Sequence, residues 1–223
     1  MADIIVAVID SGVHPDHPHI DAARLIPGWA IASDGSILEQ GAIPLDRLGH
    51  GTAVCAAVQE KAPDATILPI RVFHDALRTS PLALVTAIDL AAARGARIIN
   101  LSLGTTSATH APLFAAAIAR AAGHGATLIA ASENDGTPCL PGSLPGVIGV
   151  ALDWDIPRET YRWADGRLIA SGYPRPIPGV PQRRNLYGIS FAVAQASGFA
   201  ARAAQALGAD HTPQALIAAL AKA

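Results

Sequence analysis

The sequence predicts an α/β fold, a single domain in which a mostly parallel sheet is covered by helices on both faces. Three observations carry this expectation. Short apolar runs alternate with Ala-rich segments of helical length, the pattern of repeated strand–helix–strand units. The first run, residues 4–9, is continuously apolar, as a parallel strand buried on both faces should be. Apolar residues make up 51% of the 223 positions and charged residues 15%, enough for one large core. Aromatic residues contribute only 4%, so Ala, Val, Leu and Ile must build that core.

In chain order, residues 4–9, 65–70, 96–101, 126–131 and 147–152 read as strands. Helices are expected over 52–61, 81–94 and 112–122, the last two stopping at Gly95 and Gly123. Residues 153–187, rich in proline and glycine, break the rhythm and read as irregular surface loops with room for a short hairpin. Helix returns from Ser190 to about residue 206. Thr212-Pro213 then opens a final helix with a side-chain cap and a proline at its first position. The expected unit is one compact domain over 1–223 with no propeptide.

Composition also excludes classes of function. The formal charge is −2 and no basic stripe occurs, which argues against nucleic-acid binding. No apolar stretch has the length of a membrane span, and the start lacks the basic region and cleavage site of a signal peptide. Cys55 and Cys139 are the two cysteines, too few for a disulfide framework and suited to a reducing cytoplasm. The expected setting is cytoplasmic, away from membranes. A nucleotide site is disfavoured because Asp10-Ser11-Gly12-Val13-His14-Pro15 offers one glycine and an acid where phosphate would sit. A metal site from His14, Asp16, His17 and His19 is disfavoured by Pro15 and Pro18, which prevent helical ligand spacing.

Three motifs carry chemistry. Val8-Ile9-Asp10-Ser11-Gly12 ends the first strand, and the carboxyl ends of parallel strands are where reactants gather. Taken alone, Asp10 is equally well a turn former. Gly49-His50-Gly51-Thr52 sets a histidine between glycines ahead of an apolar helix. Gly188-Ile189-Ser190-Phe191-Ala192 puts a serine at a helix N-terminus, where its backbone N–H lacks an intrahelical partner and can serve a developing oxyanion.

In this order the three motifs resemble the subtilisin-like serine proteases (subtilases). The resemblance runs from about residue 4 to the C-terminus and adds two further segments. Ile98-Ile99-Asn100-Leu101-Ser102-Leu103-Gly104 resembles the strand along which substrate lies. Ala130-Ala131-Ser132-Glu133-Asn134-Asp135-Gly136 resembles the segment bearing the oxyanion-hole asparagine. The resemblance implies a subtilisin-like fold and a catalytic triad of Asp10, His50 and Ser190. It also implies Asn134 in the oxyanion hole, and substrate binding by Ser102, Leu103, Gly104, Glu133 and Cys139. Cys139 and Glu133 stand where the family commonly has glycine in the P1 pocket, favouring a small P1 residue; the rival is that Glu133 binds a basic one. The serine motif departs from the family's Gly-Thr-Ser-Met-Ala-Pro at Ile189, Phe191 and Ala194.

The implied function is an intracellular serine endopeptidase, specific enough to be a processing protease that removes a leader from a peptide or protein precursor presented by a partner protein. Compact processing members of the family, including the type acting on a quinohemoprotein amine dehydrogenase subunit, look similar. The alternative is a catalytically inactive, peptide-binding relative. No cofactor is expected. The short stretch between Val58 and Ile67 lacks the loop of oxygen ligands that holds calcium in many members. Chelation is therefore expected to leave melting temperature and activity unchanged; a large fall restored by calcium would reveal a site. Truncating Ser190 or His50 at an open cleft is expected to spare the fold.

Overall fold

The computed structural model describes residues 3–134, 136–208 and 211–222, without the side chain of Asn134. Its centre is a parallel sheet of β1 (Ile5–Asp10), β4 (Thr66–Arg71), β5 (Ile98–Leu101), β6 (Thr127–Ala131) and β9 (Val147–Leu152). Two edge hairpins extend it: β2 (Gly28–Ile31) with β3 (Ile37–Ala42), and β10 (Arg162–Ala164) with β11 (Arg167–Ala170). The resulting order is β10-β11-β9-β6-β5-β1-β4-β2-β3. A separate two-residue ribbon pairs β7 (Glu133–Asn134) with β8 (Thr137–Pro138). The expected mostly parallel α/β sheet is thus the observed architecture.

Helices cover both faces because successive strand residues point opposite ways. On β1, Val6 and Val8 enter one core with α1 (His50–Lys61), α4 (Ile189–Leu207) and α5 (Pro213–Leu220). Ala7 and Ile9 enter the other with α2 (Pro81–Ala93) and α3 (Ala111–Gly123). The helix signals act as expected at α2, where Ser80 accepts from the Ala83 N–H and Gly95 takes the left-handed turn after the last residues, and at α5, capped by Thr212.

Three features differ from expectation. The helix predicted from Thr52 begins at His50, so the histidine belongs to its first turn. Gly123, predicted as the stop of α3, is its last helical residue, and the left-handed glycine is Gly125 at φ +76°. The β2–β3 hairpin was absent from the predicted strands: every residue of β3 is exposed, so no buried face imprints a pattern on it. The hairpin within 153–187 is present as β10–β11, turning at Asp165-Gly166. Arg158 ties that excursion back to the core, pairing with Glu60 of α1 and donating to the Tyr173 carbonyl. Among the described residues no helix is long and apolar enough to cross a membrane.

Candidate active site

The start of α1 and the start of α4 converge at the carboxyl ends of the central parallel strands. Asp10 closes β1 with its side chain wholly buried, and its Oδ1 accepts from the Ser11 N–H at 2.8 Å. The same oxygen lies 2.8 Å from Nδ1 of His50, which is 9% exposed. A carboxylate only accepts, so Nδ1 carries the proton and Nε2 is left free as a base.

Two glycines make this approach possible. Gly51 packs so tightly on Gly12 that a Cβ on Gly51 would overlap the Gly12 carbonyl oxygen. The contact is locked by the Gly51 N–H donating to Ser11 Oγ at 2.8 Å. A side chain at Gly51 would push α1 off the end of β1, and one at Gly12 would collide with the Pro44 carbonyl ahead of Asp46.

Asp46 fixes the other side of α1. Its Oδ1 accepts from the Leu48 and Gly49 N–H groups, and its Oδ2 from the Thr52 N–H and hydroxyl. Burial opposes its charge, but the bonds from Thr52 and Leu48 outweigh burial and hold its carboxyl below the ordinary range. Burial likewise opposes charge on His50. The Asp10 hydrogen bond and the charges of Asp10 and Asp46 prevail, raising the imidazole above its ordinary value of 6.5. If His50 acts as a base, kcat/KM rises as it loses its proton, so the acid limb should lie above pH 6.5. Asp46→Asn removes one raising charge and should move that limb to lower pH. A pH–rate profile in which the limb stays put would show that Asp46 acts only as a helix cap.

Ser190 is the second residue of α4, after Gly188 at φ +142°. Its Oγ donates to the Ser102 carbonyl at 3.1 Å, and forms no hydrogen bond with His50 in this conformation. A buried polar chain runs behind it. Ser197 Oγ donates to Asn100 Oδ1, Asn100 Nδ2 donates to Ser102 Oγ, and Ser102 Oγ donates to the Ser190 carbonyl, each at 3.0 Å. Asn100 is wholly buried on the α4 side of β5, so this chain fixes the helix start against the strand.

The remaining predicted residues fall as follows. Ser102, Leu103 and Gly104 leave the end of β5. The backbone polar groups of Leu103 and Gly104 have no main-chain partner among the described residues, before Thr105 bridges to Leu140. Cys139, 5% exposed, sits where a Cβ on Gly104 would collide with its sulfur. Glu133 is paired with Arg167 at 2.9 Å, both side chains about two-fifths exposed. Asn134 lies in β7; its side chain is outside the described residues. Both cysteines are free. Among the described residues no group of three or more His, Cys, Asp or Glu is arranged to hold a metal ion.

Motif reading missed Asp46, Asn100 and Ser197. Asp46 had a legible signal, an aspartate shortly before a predicted helix. Asn100 and Ser197, polar residues inside apolar runs, look unremarkable until β5 and α4 meet.

Comparison with known proteins places the chain in a family and agrees with its fold. The sequence model of the subtilase family matches residues 2–153. Thermitase of Thermoactinomyces vulgaris is 31% identical over 158 residues, taking in 66% of this chain and 53% of thermitase. The match thus spans about half the length of that relative. Among solved structures, sphericase superposes with a TM-score of 0.77 at 25% identity, covering 99% of this chain and 83% of that one. The prenylagaramide maturation protease PagA gives 0.68 at 28% identity, covering 96% and 79%.

Proposed function

The chain belongs to the subtilase family, and from that premise we propose that it is a serine endopeptidase using Asp10, His50 and Ser190. The observation that carries this reading is the buried Asp10–His50 bond at 2.8 Å, placed where α1 and the start of α4 meet the end of β1. Ser190 Oγ attacks the peptide carbonyl after turning from the Ser102 carbonyl toward His50 Nε2. His50 takes its proton and returns it to the leaving amine, while Asp10 holds the tautomer and stabilises the imidazolium. The Ser190 N–H at the start of α4 and the Asn134 side chain hold the oxyanion. Substrate lies extended along Ser102, Leu103 and Gly104, whose main-chain groups give affinity without reading sequence.

Glu133 is already neutralised by Arg167, and Cys139 fills the space beside Gly104. Both features support a small P1 residue over a basic one. The likeness to a maturation protease supports a processing role on a precursor substrate, and a partner protein that presents this precursor belongs to the same reading. The same reading extends to the compact type that removes a leader from a quinohemoprotein amine dehydrogenase subunit, and incubation with such a precursor tests it.

A fluorophosphonate probe should label wild type at Ser190 and leave Ser190→Ala unlabelled. The rival, a peptide-binding relative that does not cleave, draws on the Ser190–Ser102 bond. Absence of labelling in folded wild type would favour it. Specificity is read from casein: slow cleavage there, beside a single cut in a cognate precursor, is expected. Rapid cutting at many sites without P1 preference would mark a degradative enzyme.

A further inference from the structure

The triad leaves unused a cavity of about 300 Å³ against the start of α1. One wall is Gly49, Thr52 and Ala53, around the first turn of α1. Another comes from residues 174–186, the segment that runs into α4 and Ser190. The loop carrying His14, His17 and His19 completes it.

Its chemistry is one-sided. Arg47 and Arg175 join the three histidines, against Asp46 as the one carboxylate. Both Asp46 oxygens are already engaged by donors of residues 48, 49 and 52. His17 Nδ1 accepts from the His19 N–H at 3.1 Å, so the ring proton sits on Nε2 as a donor. Arg175 uses Nη1 on the His19 carbonyl at 3.0 Å. No ion pair among the described residues involves Arg47 or Arg175. Glu60, the acid whose field reaches His19, is held by Arg158 and Lys61. Two guanidinium groups therefore line a partly enclosed site without a counter-charge, and a guanidinium fork matches a carboxylate.

The lining shares no residue with Ser102, Leu103, Gly104, Glu133 or Cys139, where the acyl side of a substrate is proposed to lie. It flanks the first turn of α1, the helix whose first residue is the histidine that would hand a proton to the leaving amine. We propose that this cavity is a specificity subsite for a substrate carboxylate, an Asp or Glu side chain on the leaving-group side of the scissile bond. The proposal rests on the proteolytic reading for the direction of the substrate, while the anion selectivity of the cavity does not depend on turnover.

The test is affinity selection on immobilised full-length Ser190→Ala. The probe is a C-terminally amidated peptide library with Asp, Glu, Asn, Gln, Leu or Lys fixed at each of four positions after a small P1 residue. A matched library with free C-termini separates a side-chain carboxylate from a terminal one. One charge-assisted contact implies that Asp and Glu peptides are retained about tenfold over Asn and Gln. The ratio should collapse toward one in Ser190→Ala carrying Arg47→Gln and Arg175→Gln. Arg175 also braces the His19 carbonyl, so Arg47→Gln alone, at an exposed side chain without an ion pair, is the second variant. It should lower the ratio about threefold or more with an unchanged melting temperature. A ratio near one on Ser190→Ala overturns the subsite. So does a ratio that survives Arg47→Gln and the double change, or selection seen only with free C-termini. Acid selection that depends on the arginines, in a protein whose wild type no fluorophosphonate labels, would uphold the anion cavity and sink the proteolytic reading.

Discussion

Ser190→Ala and His50→Ala are each expected to lower kcat/KM by a factor on the order of 10⁵–10⁶, with the double variant scarcely worse than either. In subtilisin, the family's type member, removing the serine or the histidine alone costs about as much as removing the whole triad, roughly 10⁶ in turnover. Additive losses, or either variant within a few-fold of wild type, would overturn the assignment. The two variants should differ in stability, which the sequence-based expectation of an intact fold for both did not anticipate. Ser190 is part-exposed, and its hydroxyl bonds only the Ser102 carbonyl. Losing it should leave the melting temperature nearly unchanged. His50 is the partner of a wholly buried carboxylate. Its removal leaves Asp10 with the Ser11 N–H alone, a penalty of about 1–3 kcal/mol. That corresponds to a fall of several degrees in a domain of this size. Equal melting temperatures would show that solvent reaches Asp10 in the variant.

Gly51→Ala should also damage turnover severely, without touching a reacting atom. The new methyl group would overlap the Gly12 carbonyl oxygen, and backbone on both sides cannot swing away as a flexible side chain could. Such overpacking costs about 1–3 kcal/mol. The relief available is a shift of α1 away from β1, which carries His50 from Asp10. A displacement near 1 Å at a catalytic group costs about 10² in rate, so kcat/KM should fall at least that far. Gly49→Ala is the control: Gly49 has φ +80° but open space around its Cβ position. It should lose about 1–2 kcal/mol from the left-handed backbone, and much less activity. Rate losses in the reverse order would refute the role given to the Gly12–Gly51 contact.

The sequence disclosed most of the framework, and the reason is visible element by element. β1, β4, β5, β6 and β9 are continuous apolar runs because both of their faces are covered. The edge strand β3 is exposed throughout and left no comparable imprint. Asp10, His50 and Ser190 were legible because each sits in a motif whose neighbours must be small or apolar: Gly12 and Gly51 in contact, and Phe191 against the His50 ring at 5.8 Å between centroids. Asn100 and Ser197 were not, since they are ninety-seven positions apart and their shared role exists only once α4 lies on β5. The pairing of Glu133 with Arg167 was equally hidden, because it depends on where β11 joins the sheet.

Helix α4 packs across α1 and the ends of β5, β6 and β9, yet it is the penultimate helix of the chain. Contacts between such distant segments carry a large loop-closure cost and form late. A ribosome therefore releases the strand bearing Asp10 and the helix bearing His50 well before the residue that would make them reactive. The emerging polypeptide can collapse around β1, β4 and β5 while still unable to cut its neighbours or itself. On the proposed triad, proteolytic competence would arrive with the final docking step, so refolding followed by near-ultraviolet circular dichroism should show most of the tertiary signal before probe labelling begins.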